Sequence, residues 1–305
     1  MAEKQFGKNE IILKEGDYGT CFYQIVSGKV GVYTRYGEKD ESKLSELGPG
    51  EYFGEMAVIE AYPRNATVVA LEEDVKVLEL SEDNLNDYFT EQPEKIVTLM
   101  KQLSSRLRSL THEYDEAKVV LEELGATKAE ERSEGLIEKM LRFVRYYQNS
   151  HKNVFAKSVE SQREAAGLKE SGDHMNLENY GKSTVIFREG EIGKCMYALQ
   201  SGLVGIYTDY GKHNEKKVAE LTANRFFGEM GMLEDEPRSA TAIAEEDDTC
   251  VEIIRPGDLE ELFKKNPFEV DMLLRYLSGR LRKLDQDYTE ACKSVYEACR
   301  AEEKA

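Results

Sequence analysis

Phe53-Gly54-Glu55-Met56-Ala57, followed by Pro63-Arg64-Asn65-Ala66-Thr67, is the stretch that decides how this chain is read. It recurs as Phe227-Gly228-Glu229-Met230-Gly231 and Pro237-Arg238-Ser239-Ala240-Thr241. In each copy a glutamate stands nine residues before an arginine. The small residue, Ala57 or Gly231, lets backbone N–H groups approach an anion closely. A short helix opening at the glutamate adds a favourable dipole to the same spot. Arg64 and Arg238 supply a planar fork of donors matched to two phosphate oxygens. Pro63 and Pro237 fix the turn that aims them. A carboxylate cannot usefully face a phosphate, so Glu55 and Glu229 suit a sugar hydroxyl, or pair with the arginine when the site is empty. One acceptor and one cation on a short loop suit a ribose carrying a single diester charge. An ordinary Glu–Arg salt bridge stapling a loop is the competing explanation, and retention of the glycine, the small residue and the proline in both copies counts against it.

Working outward, the chain superposes on itself at an offset of 174 residues without an insertion. Glu15-Gly16 falls on Glu189-Gly190, Gly19 on Gly193, Cys21 on Cys195, Ser27-Gly28 on Ser201-Gly202, and Arg106-Leu107-Arg108 on Arg280-Leu281-Arg282. This is a duplication. In the first copy the runs 11–14, 21–26, 29–34, 42–47, 66–70 and 75–80 are short, rich in β-branched and aromatic residues, and bounded by glycine. The second copy repeats them at 184–188, 195–200, 203–208, 217–221, 240–244 and 250–254. Many short strands between glycine turns predict a jelly roll or sandwich, with Ser27-Gly28 as a tight hairpin.

Each copy then turns helical. Ile96, Leu99, Leu103, Leu107, Leu110, Tyr114, Ala117, Leu121 and Leu124 fall at alternating steps of three and four, and Val270 to Ala298 repeat the stripe. Such heptads predict a helix that pairs with another helix, in a second copy of the chain or within one molecule. Residues 128–147 read as an amphipathic return helix and 149–177 as a polar, flexible linker. The expected organisation is α+β: two tandem jelly-roll domains, 1–124 and 180–305, each ending in a long helix, joined by a helical connector and linker at 125–179.

The chain has 305 residues, with 41 Lys plus Arg against 59 Asp plus Glu, for a formal charge of −18. A field of that sign opposes nucleic acid and anionic lipid, but not one small anion in a locally positive pocket. The five cysteines show no metal-type spacing, and Cys21 and Cys195 read as small core residues rather than a disulfide. No apolar run reaches the roughly 18 residues of a membrane span. A reducing, cytoplasmic setting is expected.

These motifs resemble the phosphate-binding cassette of cyclic nucleotide-binding domains, F-G-E-(L/M)-A, a short variable stretch, then P-R-(A/S/T)-A-T. That family includes catabolite-activator-type regulators, regulatory subunits of cyclic-nucleotide-dependent kinases, and gated channels. The resemblance implies an eight-stranded jelly roll flanked by helices. It implies that Glu55 and Glu229 bind a ribose 2′-hydroxyl. Arg64, Arg238 and the loop amides would bind the cyclic phosphate, and a helix after the barrel would close over the base. Gly54, Met56, Ala57, Asn65, Ala66 and Thr67 would line the first site, and Gly228, Met230, Gly231, Ser239, Ala240 and Thr241 the second. The sequence departs from the pattern at Gly231, where Ala is common, and at Asn65; Ser239 loosely admits cGMP. Tyr276, Arg280, Arg106 and Tyr288 are the candidates for capping the base.

The expected function is a non-catalytic sensor of cAMP or cGMP that relays a conformational change to a protein effector. A β-pattern that begins near Met1 and an acidic final helix lead us to expect neither a kinase-docking segment nor a DNA-reading helix-turn-helix. Two other classes compete. One is a jelly-roll enzyme of cupin type, disfavoured because His112, His151, His174 and His213 are not paired by the repeat. The other is a ligand-free interaction scaffold, opposed by the intact Glu and Arg in both copies. No metal and no enzymatic cofactor is expected.

Overall fold

The computed structural model describes residues 2–39, 41–59, 63–81, 88–89, 91–92, 94–126, 132–150, 176–234, 236–265 and 267–302. The helix start expected at Pro93, the first residues of the return helix at 128–131, most of the expected linker (151–175), and with it His151 and His174, lie outside these.

The first repeat forms eight strands: β1 (Ala2–Phe6), β2 (Ile11–Leu13), β3 (Cys21–Ser27), β4 (Val30–Thr34), β5 (Ser42–Leu47), β6 (Tyr52–Phe53), β7 (Thr67–Ala70) and β8 (Val75–Ser81). They make two antiparallel four-stranded sheets, ordered β1-β8-β3-β6 and β2-β7-β4-β5. Between β6 and β7 lies the short helix α1 (Glu55–Ile59). Tyr23, Ile25, Val30, Leu47, Phe53, Val68, Val75 and Val77 form the buried core between the sheets. Gly28 turns the β3–β4 hairpin with φ +79°, and a Cβ there would come within 2.9 Å of Val75 Cγ2.

After the roll come α2 (Glu94–Ala126) and α3 (Glu134–Ser150). The second repeat then supplies β9 (Leu177–Tyr180), β10 (Val185–Phe187), β11 (Met196–Ser201), β12 (Val204–Thr208), β13 (Lys216–Leu221), β14 (Arg225–Phe227), β15 (Thr241–Ala244) and β16 (Thr249–Ile254). Their sheets, β14-β11-β16-β9 and β10-β15-β12-β13, repeat the first pair strand for strand. Phe187, Tyr197, Leu199, Val204, Phe227, Ala242 and Val251 fill this second core. Helix α4 (Glu229–Glu234) matches α1, and α5 (Pro256–Lys265) and α6 (Pro267–Glu302) close the chain.

Contacts group the chain into two compact units. One holds residues 1–87, 106–157 and 278–305; the other holds 88–105 and 158–277. In the first unit the helical stripes meet inside a single chain. Ala117, Val120 and Leu124 of α2, Leu136, Phe143 and Tyr147 of α3, and Tyr288, Cys292 and Val295 of α6 form one buried cluster. Aromatic rings set its packing: Phe143 meets Tyr288 edge-on at 6.2 Å, and Tyr147 meets Tyr296 at 5.3 Å. The long helices thus bury their apolar faces by intramolecular pairing. Arg142 and Lys139 of α3 add ion pairs to Glu116 of α2 at 2.6 and 3.1 Å. Arg35, at the end of β4, reaches the Gln148 carbonyl at 3.4 Å and ties the roll to α3.

Candidate functional site

In the first repeat β6 ends at Gly54, which takes φ +79°, and α1 starts at Glu55. Only glycine fits that step: a Cβ would stand 2.7 Å from Leu13 Cδ1 and 2.8 Å from Arg64 Nη1. Glu55 and Arg64 are 1% and 5% exposed, so two opposite charges are held under the surface of a small loop. Arg64 donates from Nη1 to the Gly54 carbonyl at 2.5 Å and from Nη2 to the Cys21 carbonyl. Its backbone is stitched to the β2–β3 loop on both sides: its N–H donates to Asp17 O at 2.8 Å, and its carbonyl accepts from Gly16 N at 2.9 Å. Gly19 in that loop lies directly against the guanidinium, where any Cβ would collide.

Glu55 does not pair with Arg64, as the sequence reading expects of an empty cassette. Its cation is Arg106 of α2, with Nη1 2.6 Å from Oε1 and Nη2 3.3 Å from the Tyr52 carbonyl. The guanidinium of Arg64 is aimed at two carbonyls, so the buried carboxylate takes its partner from the helix. Arg106, weighed as a base cap, is therefore held at the Glu55 carboxylate.

The second cassette repeats the plan. Gly228 has φ +74°, Glu229 and Arg238 are 2% and 4% exposed, and Arg238 donates to the carbonyls of Gly228 and, at 2.6 Å, of Cys195. The guanidinium lies 4.3 Å over the Phe187 ring and 5.8 Å from that of Tyr197. A Cβ at Gly231 would reach within 3.0 Å of Nη1, and one at Gly193 would collide, so the Ala-to-Gly departure at 231 relieves crowding. Arg238 Nε is buried without a hydrogen-bond partner. A buried cationic donor with nothing to donate to fits an anion as its missing partner. Burial, with the Cys195 thiol second, pushes the Tyr197 phenol above its ordinary value, and the same two causes act on Tyr23 through Cys21. Both rings therefore stay neutral.

The other residues named from sequence fall in the same two places. Ala57, Gly231 and Ala240 are buried, and Met56, Met230 and Ala66 are half-buried. The hydroxyls of Thr67 and Thr241 accept the amides of Glu15 at 3.1 Å and Glu189 at 3.0 Å, which anchors each arginine strand to the opposite loop. Asn65 and Ser239 are exposed beside their arginines. Asn65 Oδ1 accepts from Arg282 Nη1 at 3.3 Å, so α6 reaches the first cassette. Buried Ser104 of α2 donates to Glu234 of α4 at 2.6 Å, so α2 reaches the second. Gly19, Gly193 and the carbonyls of Cys21 and Cys195 were not singled out as site parts from sequence. Their pairing by the repeat was the signal that could have found them.

All five cysteines are free. Among the described residues one group could hold a metal: His112, Glu113 and Glu116 on α2, outside either roll, with Glu116 already engaged by Arg142 and Lys139. Among the described residues no helix is long and apolar enough to cross a membrane.

Known proteins resemble this chain in sequence. A cGMP-dependent protein kinase of Eimeria tenella is 26% identical over 86% of this chain and 21% of its own length. A cAMP-dependent protein kinase regulatory subunit of Candida albicans is 26% identical over 80% of this chain and 40% of its own length. A regulatory subunit of Dictyostelium discoideum is 25% identical over 87% and 68%. The chain thus spans well under half of the first two relatives. Among solved structures, the regulatory domain of Toxoplasma gondii PKA with cAMP aligns at 23% identity and a TM-score of 0.27, covering 90% of this chain and 83% of that one. The Cyclic nucleotide-binding domain matches at residues 3–92 and again at 177–266, both rolls with their cassettes, and the chain belongs to that family.

Proposed function

We propose that the chain is a non-catalytic regulatory sensor that takes one 3′,5′-cyclic nucleotide, cAMP or cGMP, into each repeat and relays the event through α2 and α6 to a protein effector. The observation that carries this reading is the buried guanidinium of Arg238, whose Nε has no partner. Glu229 of the same loop is buried too, and Gly193 and Gly228 leave no room for a side chain against that guanidinium. In this reading Arg64 and Arg238, with the α1 and α4 amides, hold the cyclic phosphate, and Glu55 and Glu229 accept the ribose 2′-hydroxyl. Gly54, Ala57, Gly228 and Gly231 let the phosphate approach the backbone.

The contacts of the glutamate support the relay. Glu55 shares its carboxylate with Arg106, so a ribose hydroxyl arriving there changes what holds α2. The shift can be no larger than the ligand's differential affinity for the two states. Because the helical stripes are covered within one chain, the relay needs no second copy. The relatives that are kinase regulatory subunits make a protein kinase the first effector to test.

A thermal-shift panel of cAMP, cGMP, cCMP and a cyclic dinucleotide tests the binding. A ligand that binds only the folded chain raises its melting temperature, by about 2.7 kcal/mol of stability at a hundred times the Kd. No shift from any of them at millimolar concentration would remove the sensor reading.

A further inference from the structure

The second cassette sets a thiol against its buried cation. Arg238 donates from Nη2 to the Cys195 carbonyl at 2.6 Å, and the same nitrogen lies 3.8 Å from Cys195 Sγ. On its other side the sulfur is 3.4 Å from the Tyr197 hydroxyl, a phenol that burial keeps protonated. Arg238 is itself buried, and its Nε has no hydrogen-bond partner. The guanidinium therefore keeps a donor in reserve for an anion that forms beside it. Cys195 is only half-buried, so a small solute can reach the sulfur.

The first repeat supplies the contrast. Cys21 occupies the equivalent position and is half-buried too. Its sulfur faces a carboxylate, with Glu79 Oε2 3.7 Å away and itself bound to Lys4. The second repeat carries Ile253 at that place, across the ladder from Tyr197 as Glu79 is from Tyr23. One thiol thus meets a cation and the other an anion. A neighbouring cation favours a thiolate, a neighbouring carboxylate disfavours it, and the thiolate is the form that oxidants attack. Elsewhere burial pushes the Cys292 thiol up to about 12, and burial with Glu252 pushes Cys250 up.

We propose that Cys195 is a peroxide-sensitive modification site: hydrogen peroxide converts its thiol to a sulfenic acid, and the new oxygen takes the donors of Arg238 that a cyclic phosphate needs. The thiolate sulfur attacks one peroxide oxygen, and the S–O bond forms as the O–O bond breaks. Sulfur gives up two electrons to the peroxide. The leaving hydroxide takes up the proton that the thiol released to solvent, so the products are the sulfenic acid and water. Arg238 offsets negative charge on the sulfur before the step and on the sulfenate oxygen after it. The site stands on the thiol–guanidinium geometry alone, and its effect on nucleotide binding rests on the sensor reading above.

The test treats the full chain with a small excess of hydrogen peroxide and then with dimedone, which traps sulfenic acids. Peptide mass spectrometry reads the labelled fraction at each cysteine, and circular dichroism confirms that each variant is folded. Cys195 should label about tenfold or more faster than Cys21. Arg238→Gln should slow the labelling of Cys195, and Glu79→Gln should speed that of Cys21, whereas thiols that differ only in access would respond to neither charge. In a chain carrying Arg64→Ala, which reads the second site alone, peroxide without dimedone should weaken cyclic nucleotide binding by about tenfold or more, and dithiothreitol should restore it. With Cys195→Ser added, the Kd measured before and after peroxide should be the same. Equal labelling of Cys21 and Cys195, a Cys195 rate unmoved by Arg238→Gln, or a loss of binding that persists with Cys195→Ser overturns the inference and leaves the sensor reading standing. So does a labelled Cys195 with an unchanged Kd. Labelling of Cys195 in a chain that binds no cyclic nucleotide supports the modification site and overturns the sensor reading.

Discussion

Glu55 and Arg106 meet at 2.6 Å across 51 residues of sequence, and this pair, rather than Glu55 with Arg64, neutralises the buried carboxylate of the first cassette. The glutamate is 2% exposed at its side chain and the arginine 31%. Removing the arginine strands the glutamate, whereas removing the glutamate returns a half-exposed cation to water. Arg106→Ala should therefore cost about 2 kcal/mol of stability, and Glu55→Gln in the same chain should restore much of it. Urea unfolding of the single and double variants gives the coupling directly. Additive effects would show that the two side chains do not act as a pair.

The two cassette arginines should each carry one site. Arg64→Ala and Arg238→Ala each delete the charge-assisted hydrogen bonds to an anion, worth roughly 1.5–3 kcal/mol per bond. Calorimetric stoichiometry should fall from two ligands to one in either single variant and to none in the double. Retention of both sites after either substitution would place the phosphate elsewhere.

Gly193 tests the cradle without touching a charge. A methyl group there must displace the Arg238 guanidinium, which is itself fixed by the carbonyls of Gly228 and Cys195. Gly193→Ala should weaken nucleotide binding at the second site about tenfold or more while leaving the first site intact, because it forces apart the preorganised donors. Gly190, at φ +83° with open space around it, is the contrasting position: Gly190→Ala should lower stability through backbone strain alone, about 1–2 kcal/mol, with ligand affinity preserved. Titration of each variant, paired with its melting temperature, separates the two effects.

Much of this architecture was legible in the sequence because it was written twice. All twelve strands read from composition and glycine punctuation are present within a residue or two, and α1 and α4 open at the glutamates as the motif requires. What was missed lacks a side-chain signal. Strand β1 is Ala-Glu-Lys-Gln-Phe, exposed along most of its length and held by backbone pairing to β8, so no apolar alternation marks it; β9 is the same case on β16. Strands β6 and β14 are two and three residues long, below the length at which periodicity speaks. The return helix starts at Glu134, where Ser133 accepts the Leu136 amide at 3.3 Å as an N-cap. Spacing singled out Glu55, Arg64, Glu229 and Arg238 as candidates, all of them buried in the structure, but it did not give their partners. The Arg106–Glu55 and Arg282–Asn65 contacts join segments 51 and 217 residues apart, and only the packing of the helices brings them together.

The helical cluster should respond to acid through Glu116. Hydrogen bonds from Arg142 and then Lys139 hold its carboxyl well below the ordinary value, at about 2. In the unfolded chain the group returns to the usual carboxylate pKa of about 4.3. A folded-state pKa that is depressed stabilises the charged, folded form, so the contribution is fully present above roughly pH 4.5 and is lost as pH falls toward 2. Glu116→Gln should remove that dependence: acid unfolding of the variant should show a shallower pH slope between about pH 4.5 and 2, while stability at pH 2 should differ little from that of the parent chain. Because the pairs join α3 to α2 on the solvent side of the cluster, the effect should shrink in high salt, whereas the buried contacts of Phe143 and Val295 should not. An unchanged slope, or one insensitive to salt, would mean that the carboxylate finds equal company in the unfolded chain and that the three helices hold by apolar packing alone.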